Sequence, residues 1–253
     1  MKRGAPAGSK PSSKRKPVIA KAPALVDLAS VEPASLSAEP VESYQPNRFF
    51  PPELHLNGRA MVFKVRAWLD LKWGVDTRIF DKSGAGDQDV PAVLSPETGR
   101  MSITLDDDTS RHLELLERRA RVLLETGQEE PTKWQEVVKR MPPEKGGVHA
   151  VVKLYFAPRS GMNPIAATQF KVKQHDGTYI TGTGWSFLQK HLLAFDSFRN
   201  SRCKVAFEPR YWVMSGNSSL TLSAAAVVFA PSEESFATTE LGIDQIFPDA
   251  ELL

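Results

Sequence analysis

Cysteine is almost missing from this chain of 253 residues, and Cys203 is the only one. A single thiol excludes an internal disulfide framework and any zinc site built on clustered cysteines. Its place beside Val205 and Phe207, at an inward strand position, marks it as a buried and inert thiol. The five histidines, His55, His112, His149, His175 and His191, are scattered with no HExxH spacing, so no metal is expected. No apolar run reaches the roughly 18 residues of a membrane span, and the charged N-terminus lacks the apolar stretch of a signal peptide. The expectation is a nuclear or cytoplasmic protein, neither secreted nor in a membrane. GxxxxGK[ST], GxSxG and strand-to-helix GxGxxG are all missing, and "TGTGWS" at Thr181–Ser186 has neither the spacing nor the lysine of a phosphate cradle. No cofactor and no enzymatic activity are expected.

Each end of the chain also lacks charge of one sign. No acidic residue precedes Asp27, while Lys2, Arg3, Lys10, Lys14, Arg15, Lys16 and Lys21 stand among Pro, Gly, Ser and Ala. That composition cannot bury enough apolar surface to offset its ordering entropy, so a disordered basic arm is expected. Its "SKRKP" reads both as a nuclear localisation signal and as a nucleic-acid tether. Residues 22–46, rich in Ala, Pro, Ser and Val, read as a linker, which assigns 1–46 to arm and linker together. No Lys or Arg follows Arg210, whereas six acidic residues from Glu233 to Glu251 are mixed with apolar ones. Residues 232–253 are therefore an acidic tail. It is either a solubilising end or a segment that docks on partners and, undocked, competes with nucleic acid for a basic surface.

Between these ends, 47–231 reads as one β-rich domain. In "AMVFKVRAWLDL" Met61, Phe63, Val65, Ala67, Leu69 and Leu71 alternate with Val62, Lys64, Arg66, Trp68 and Asp70, so one face is core and the other carries two cations and an indole. After Asp106–Asp108 the period changes to helical, with Leu113, Leu116, Ala120, Leu123 and Leu124 on one stripe and Gly127 placed to end it. "PTKWQEVVKRM" reads as a second short helix between Pro131 and Pro142, making a helical insertion at about 107–141. Glu114, Glu117, Arg118, Arg119 and Arg121 read as its solvated face. Alternation returns in "VHAVVKLYFA" and "IAATQFKVKQ", "HDGT" supplies a hairpin turn, "GWSFLQKHLLAF" has helical spacing, and two strands close the domain. Half-buried strands must close on themselves or stack, so a small, mostly antiparallel barrel or sandwich is the expected packing.

The outward positions collect Lys64, Arg66, Trp68, Lys153, Tyr155, Lys171 and Lys173 from three strands. Lys204 and the run Pro209, Arg210, Tyr211, Trp212 add to them, with Pro209 read as ending its strand and releasing the next three residues from the ladder. Cations hold phosphates and aromatic faces stack on bases, a mixture suited to a single strand whose bases are unpaired. Trp212 either closes the barrel end or stacks on a base. A capsid or nucleoprotein subunit with a genome-neutralising arm is the alternative, and RNA in place of DNA is a third reading.

"KVAFEPRYWVMSGNSSLTLSAAAVVF", Lys204 to Phe229, resembles the C-terminal hairpin of OB-fold single-stranded DNA-binding proteins of bacteriophages and large DNA viruses. In these a Lys-hydrophobic-x-Phe-x-Pro-x-x-Trp strand end passes through a Gly-containing turn into a Gly-Leu-hydrophobic strand. The matching positions are Lys204, Val205, Phe207, Pro209, Trp212, Gly216, Leu220 and Leu222, with Ser219 where the pattern favours glycine. The acidic tail is similar to the partner-docking tails of the same proteins. The resemblance implies an OB-fold-like antiparallel β-barrel that coats single-stranded DNA during replication or recombination. It also implies replication proteins as the tail's partners, with self-association left open.

Overall fold

The computed structural model describes residues 23–38, 54–56, 59–71, 74–76, 97–125, 132–159, 165–174, 176–192, 201–214 and 216–230. The expected basic arm before residue 23, the expected acidic tail after 230 and residues 77–96 lie outside them. In chain order the elements are β1 (Ala24–Asp27), β2 (Leu36–Ala38), β3 (Leu54–Leu56), β4 (Arg59–Lys64), β5 (Leu69–Leu71), β6 (Val75–Asp76), β7 (Thr98–Thr104) and α1 (Asp107–Glu125). They continue with β8 (Lys133–Trp134), β9 (Lys139–Arg140), β10 (Val148–Tyr155), β11 (Gln169–Lys173), β12 (Tyr179–Thr183), α2 (Trp185–Leu192), β13 (Ser201–Met214) and β14 (Asn217–Ala230).

Five strands close on themselves, each pairing with the next in the order β5, β7, β10, β14, β13 and back to β5. All these pairings are antiparallel except β10 with β14, where Val152 meets Leu222 and Lys153 meets Ser223 in parallel. With β4 and β5 as the two halves of the first strand, this is the five-stranded Greek-key closure of an OB-fold. β11 extends the wall beside β14, and β12 folds back on β11 through a turn whose Gly177 takes φ 82°. The ring of Phe187 on α2 packs against β12 where a Cβ at Gly182 would stand.

β13 and β14, each of 14 residues, are the longest strands and carry a bulge. Ala206 pairs with Ala226 but Phe207 with Ala224, so Ala225 is an additional residue. A bulge bends a strand and resets its alternation. Accordingly Leu220, Leu222 and Ala224, then Val227 and Phe229, all face the main core, while Ala226 faces out with Ala206 and Val62 in a small second cluster. Inside, Phe63 stacks on Phe207 and Phe170 on Phe229, with centroids 5.9 and 6.2 Å apart.

α1 packs on the core of this barrel. Asp106 caps it, its carboxylate accepting from the Thr109 amide at 2.6 Å, and Leu113, Leu116 and Ala120 enter the core. The following segment is not the helix expected from "PTKWQEVVKRM" but a strap of two short strands, β8 on β14 and β9 on β10. The Lys133 and Gln135 amides donate to the Gly216 and Ser218 carbonyls, so the backbone that a helix would pair internally is spent on the barrel wall. Glu117, expected on a solvated face, is buried. It accepts from Trp134 Nε1 at 2.7 Å and from the Val137 amide at 2.8 Å, and burial pushes its pKa up against those hydrogen bonds.

The linker expected over 22–46 is corrected for its described part. β1 pairs in parallel with β4, Leu28 and Leu36 enter the core, and Arg119 donates to the Leu36 carbonyl at 3.2 Å. Pro209 does not end its strand either: β13 continues through Pro209, Arg210, Tyr211 and Trp212, opposite Leu222, Thr221, Leu220 and Ser219. Among the described residues the pairing of β13 with β4 stops at Phe207, and beyond it the strand has an edge that tolerates a residue lacking an amide hydrogen.

Candidate nucleic-acid interface

The nominated side chains fall into three groups. The first lies on the outer face where β4, β13, β14 and β11 run side by side. Lys204 is opposite Val228, Val228 opposite Lys171, and Lys171 opposite Thr181, forming one cross-strand row. The next row holds Lys64, Ala206, Ala226 and Gln169. Beside them the Lys204 ammonium stands 5.1 Å from the centroid of the half-buried Trp68 ring. A cation on an indole face, in a row with a second cation, offers a phosphate and a base adjacent positions.

Two members of this group differ from their expected exposure. Lys64 is only 8% exposed, and burial first, then Arg66, lowers its pKa while Asp27 opposes the shift. Lys173, the last residue of β11 and opposite Tyr179, is also buried. Arg66 is exposed but is ion-paired with Asp27 of β1.

The second group sits on β10. The Lys153 ammonium lies 5.3 Å from the Tyr155 ring centroid, but Tyr155, expected outside, is buried. Its amide donates to the Thr168 hydroxyl oxygen at 2.9 Å, and that hydroxyl donates on to the Ala224 carbonyl, which ties the strand end to the residue before β11 and to β14. Lys153 is flanked by Arg100 on β7 and by Ser223 on β14, whose buried hydroxyl has no hydrogen-bond partner among the described residues. One step along, Val151 is 43% exposed opposite Ser102. Arg100 is not among the candidates read from the sequence, although alternation through "RMSITL" puts Arg100, Ser102 and Thr104 on the outward side.

The third group, at the far end of β13, is largely structural. Tyr211, expected to contact a ligand, is 5% exposed and its ring stacks on Trp134 with centroids 6.2 Å apart. Arg210 donates to the Glu208 carboxylate at 2.6 Å, which neutralises it in place. Trp212 is half-buried opposite Ser219. The structure thus brings Trp68, Lys171 and Lys204 together on one face, adds Lys153 with Arg100 on the adjoining wall, and sets Tyr211 inside.

Among the described residues no group of His, Cys, Asp and Glu is arranged to hold a metal ion. Nor, among them, is any helix long and apolar enough to cross a membrane. Cys203 is fully buried and its thiol is pushed up to about 12 by that burial.

No family model matches the chain, and no curated protein does. Among solved structures it is similar to the crystal structure of gp2.5, a single-stranded DNA-binding protein encoded by bacteriophage T7, with a TM-score of 0.41 and 13% identity over 72% of this chain and 91% of that one. It is also similar to the single-stranded DNA-binding protein from bacteriophage Enc34 in complex with single-stranded DNA, with a TM-score of 0.41 and 8% identity over 78% of this chain and 100% of that one.

Proposed function

We propose that the chain is a non-enzymatic single-stranded DNA-binding protein that coats and protects exposed strands during replication or recombination. One observation carries this reading: a five-strand barrel whose outer face sets Lys204 on the ring of Trp68 and aligns Lys204 with Lys171 across two intervening strand contacts. Phosphates are held along Lys204, Lys171, Lys153 and Arg100, and a base stacks on Trp68. The basic residues before Asp27 add a sequence-independent tether, and the acidic tail docks on replication proteins.

The test is a fluorescence titration of the full chain with unstructured DNA oligomers over a range of salt. Micromolar or tighter binding with tryptophan quenching is expected, and log K should fall linearly with log salt by about 0.7 per phosphate neutralised. No binding at low salt ends the proposal. Competition by an RNA oligomer of the same sequence, against DNA with uracil in place of thymine, separates DNA from RNA preference, because only the 2′-hydroxyl then differs.

A further inference from the structure

Asp27 reaches the proposed interface from outside the barrel. It is the last residue of β1, whose pairing with β4 puts Asp27 directly opposite Lys64. Its carboxylate takes the Arg66 guanidinium in an ion pair and also accepts from the Ala29 amide at 3.0 Å, which caps the short turn of helix after β1. Arg66 keeps 73% of its side chain in solvent while Asp27 keeps 10%, so the anion is anchored and the cation is reachable. Leu25, two residues earlier, packs on Val62, Ala206 and Ala226, the apolar patch in the row beside Lys204.

An acidic oxygen held by an arginine next to a lysine, at the margin of a cationic face, is the arrangement that a backbone phosphate would make there. We infer that Asp27 is a built-in phosphate mimic: it occupies Arg66 and Lys64 in the unliganded protein, and a nucleic-acid phosphate must displace it to use them. β1 is suited to yield, since it is four residues long and none of the four is fully buried. Leu28, buried just beyond, keeps the segment attached after the carboxylate lets go. Asp27 therefore weakens binding and flattens its salt dependence.

This inference rests on the single-stranded DNA reading, and the experiment separates the two. Asp27→Asn removes the charge but keeps an oxygen for the Ala29 amide, so the cap survives. The full chain and the variant are titrated with an oligothymidylate at several salt concentrations, with thermal melting as the check on folding. Asp27→Asn should bind about two- to fivefold more tightly at low salt, the range that an exposed ion pair commands. Its log K against log salt should steepen by about 0.7 for each cation released. Arg66→Gln, made in both backgrounds, should shrink that gain to the share of Lys64, which keeps the test informative even if one variant melts early. Equal or weaker binding by a folded Asp27→Asn protein overturns the role of Asp27 and leaves the DNA-binding reading standing. Absence of binding by either protein overturns both.

Discussion

Tyr211 and Trp68 are both aromatic and both have a cation close by in sequence, yet they answer to different surroundings. Tyr211 follows Phe207 and Pro209 at inward parity along β13, and its ring closes the barrel end against Trp134. Replacing it with alanine removes a buried ring and leaves Trp134 without its stacking partner. Tyr211→Ala should cost about 3 kcal/mol of stability or more, read as a lower urea midpoint. Trp68 is half-buried under Lys204 outside the main core, so Trp68→Ala should leave the midpoint near that of the parent and weaken oligonucleotide binding by about 1–3 kcal/mol. The opposite pattern, with Trp68→Ala unfolding and Tyr211→Ala failing only to bind, would exchange their roles. Period-2 alternation was enough to place Cys203, Val205 and Phe207 inside. Carried past Pro209 it would have placed Tyr211 there too. Proline suggested a strand end, but an edge can accept the missing donor, and which stretch of a strand is an edge depends on partners remote in sequence.

At the scale of elements, α1 and the turn at Gly177 were legible because their signals are local: a capping aspartate, one apolar stripe, and a glycine free to take positive φ. The strap between Thr132 and Arg140 was not. Its backbone donors go to Gly216 and Ser218, more than eighty residues away, and its tryptophan is held by Glu117 of α1. Thr132, Ser218 and Glu125 complete the clamp, with the Thr132 hydroxyl donating to Ser218 Oγ at 2.7 Å and the Ser218 hydroxyl to Glu125 at 3.2 Å. Glu117 gives this clamp a pH dependence. Burial raises its pKa in the folded chain, so the folded state holds the proton more tightly than the unfolded one. That contribution to stability is complete below the ordinary carboxylate range and is lost as pH rises through the raised value. Glutamine keeps an acceptor oxygen and does not titrate. The melting temperature of Glu117→Gln relative to the parent should therefore climb from acidic to neutral pH, and a difference that stays constant would remove Glu117 as the source.

On the scale of the whole molecule, the domain begins earlier than composition implies. Residues 23–38 look like linker because Ala, Pro and Ser dominate and no periodicity is long enough to declare a strand. What holds them is a parallel pairing with β4 and two leucines, Leu28 and Leu36, that complete the core beside α1. Burial of each is worth about 1.5–3 kcal/mol by its apolar area, and the pairing of β1 adds to that. A chain that starts at residue 23 should therefore melt with the full-length protein, because only the basic arm is gone. One that starts at residue 39 loses β1, β2 and both leucines, and its urea midpoint should fall by an amount equivalent to several kcal/mol. Equal midpoints would mean that the segment merely rests on the barrel. The same pair of truncations bears on binding: loss of the seven basic residues before Asp27 should flatten the salt dependence by up to about 0.7 for each that touches phosphate, without removing the quench from Trp68. With both outcomes, stability follows the segment from 23 to 38 and electrostatics follows the basic residues before it, two properties that the pair of truncations reads separately.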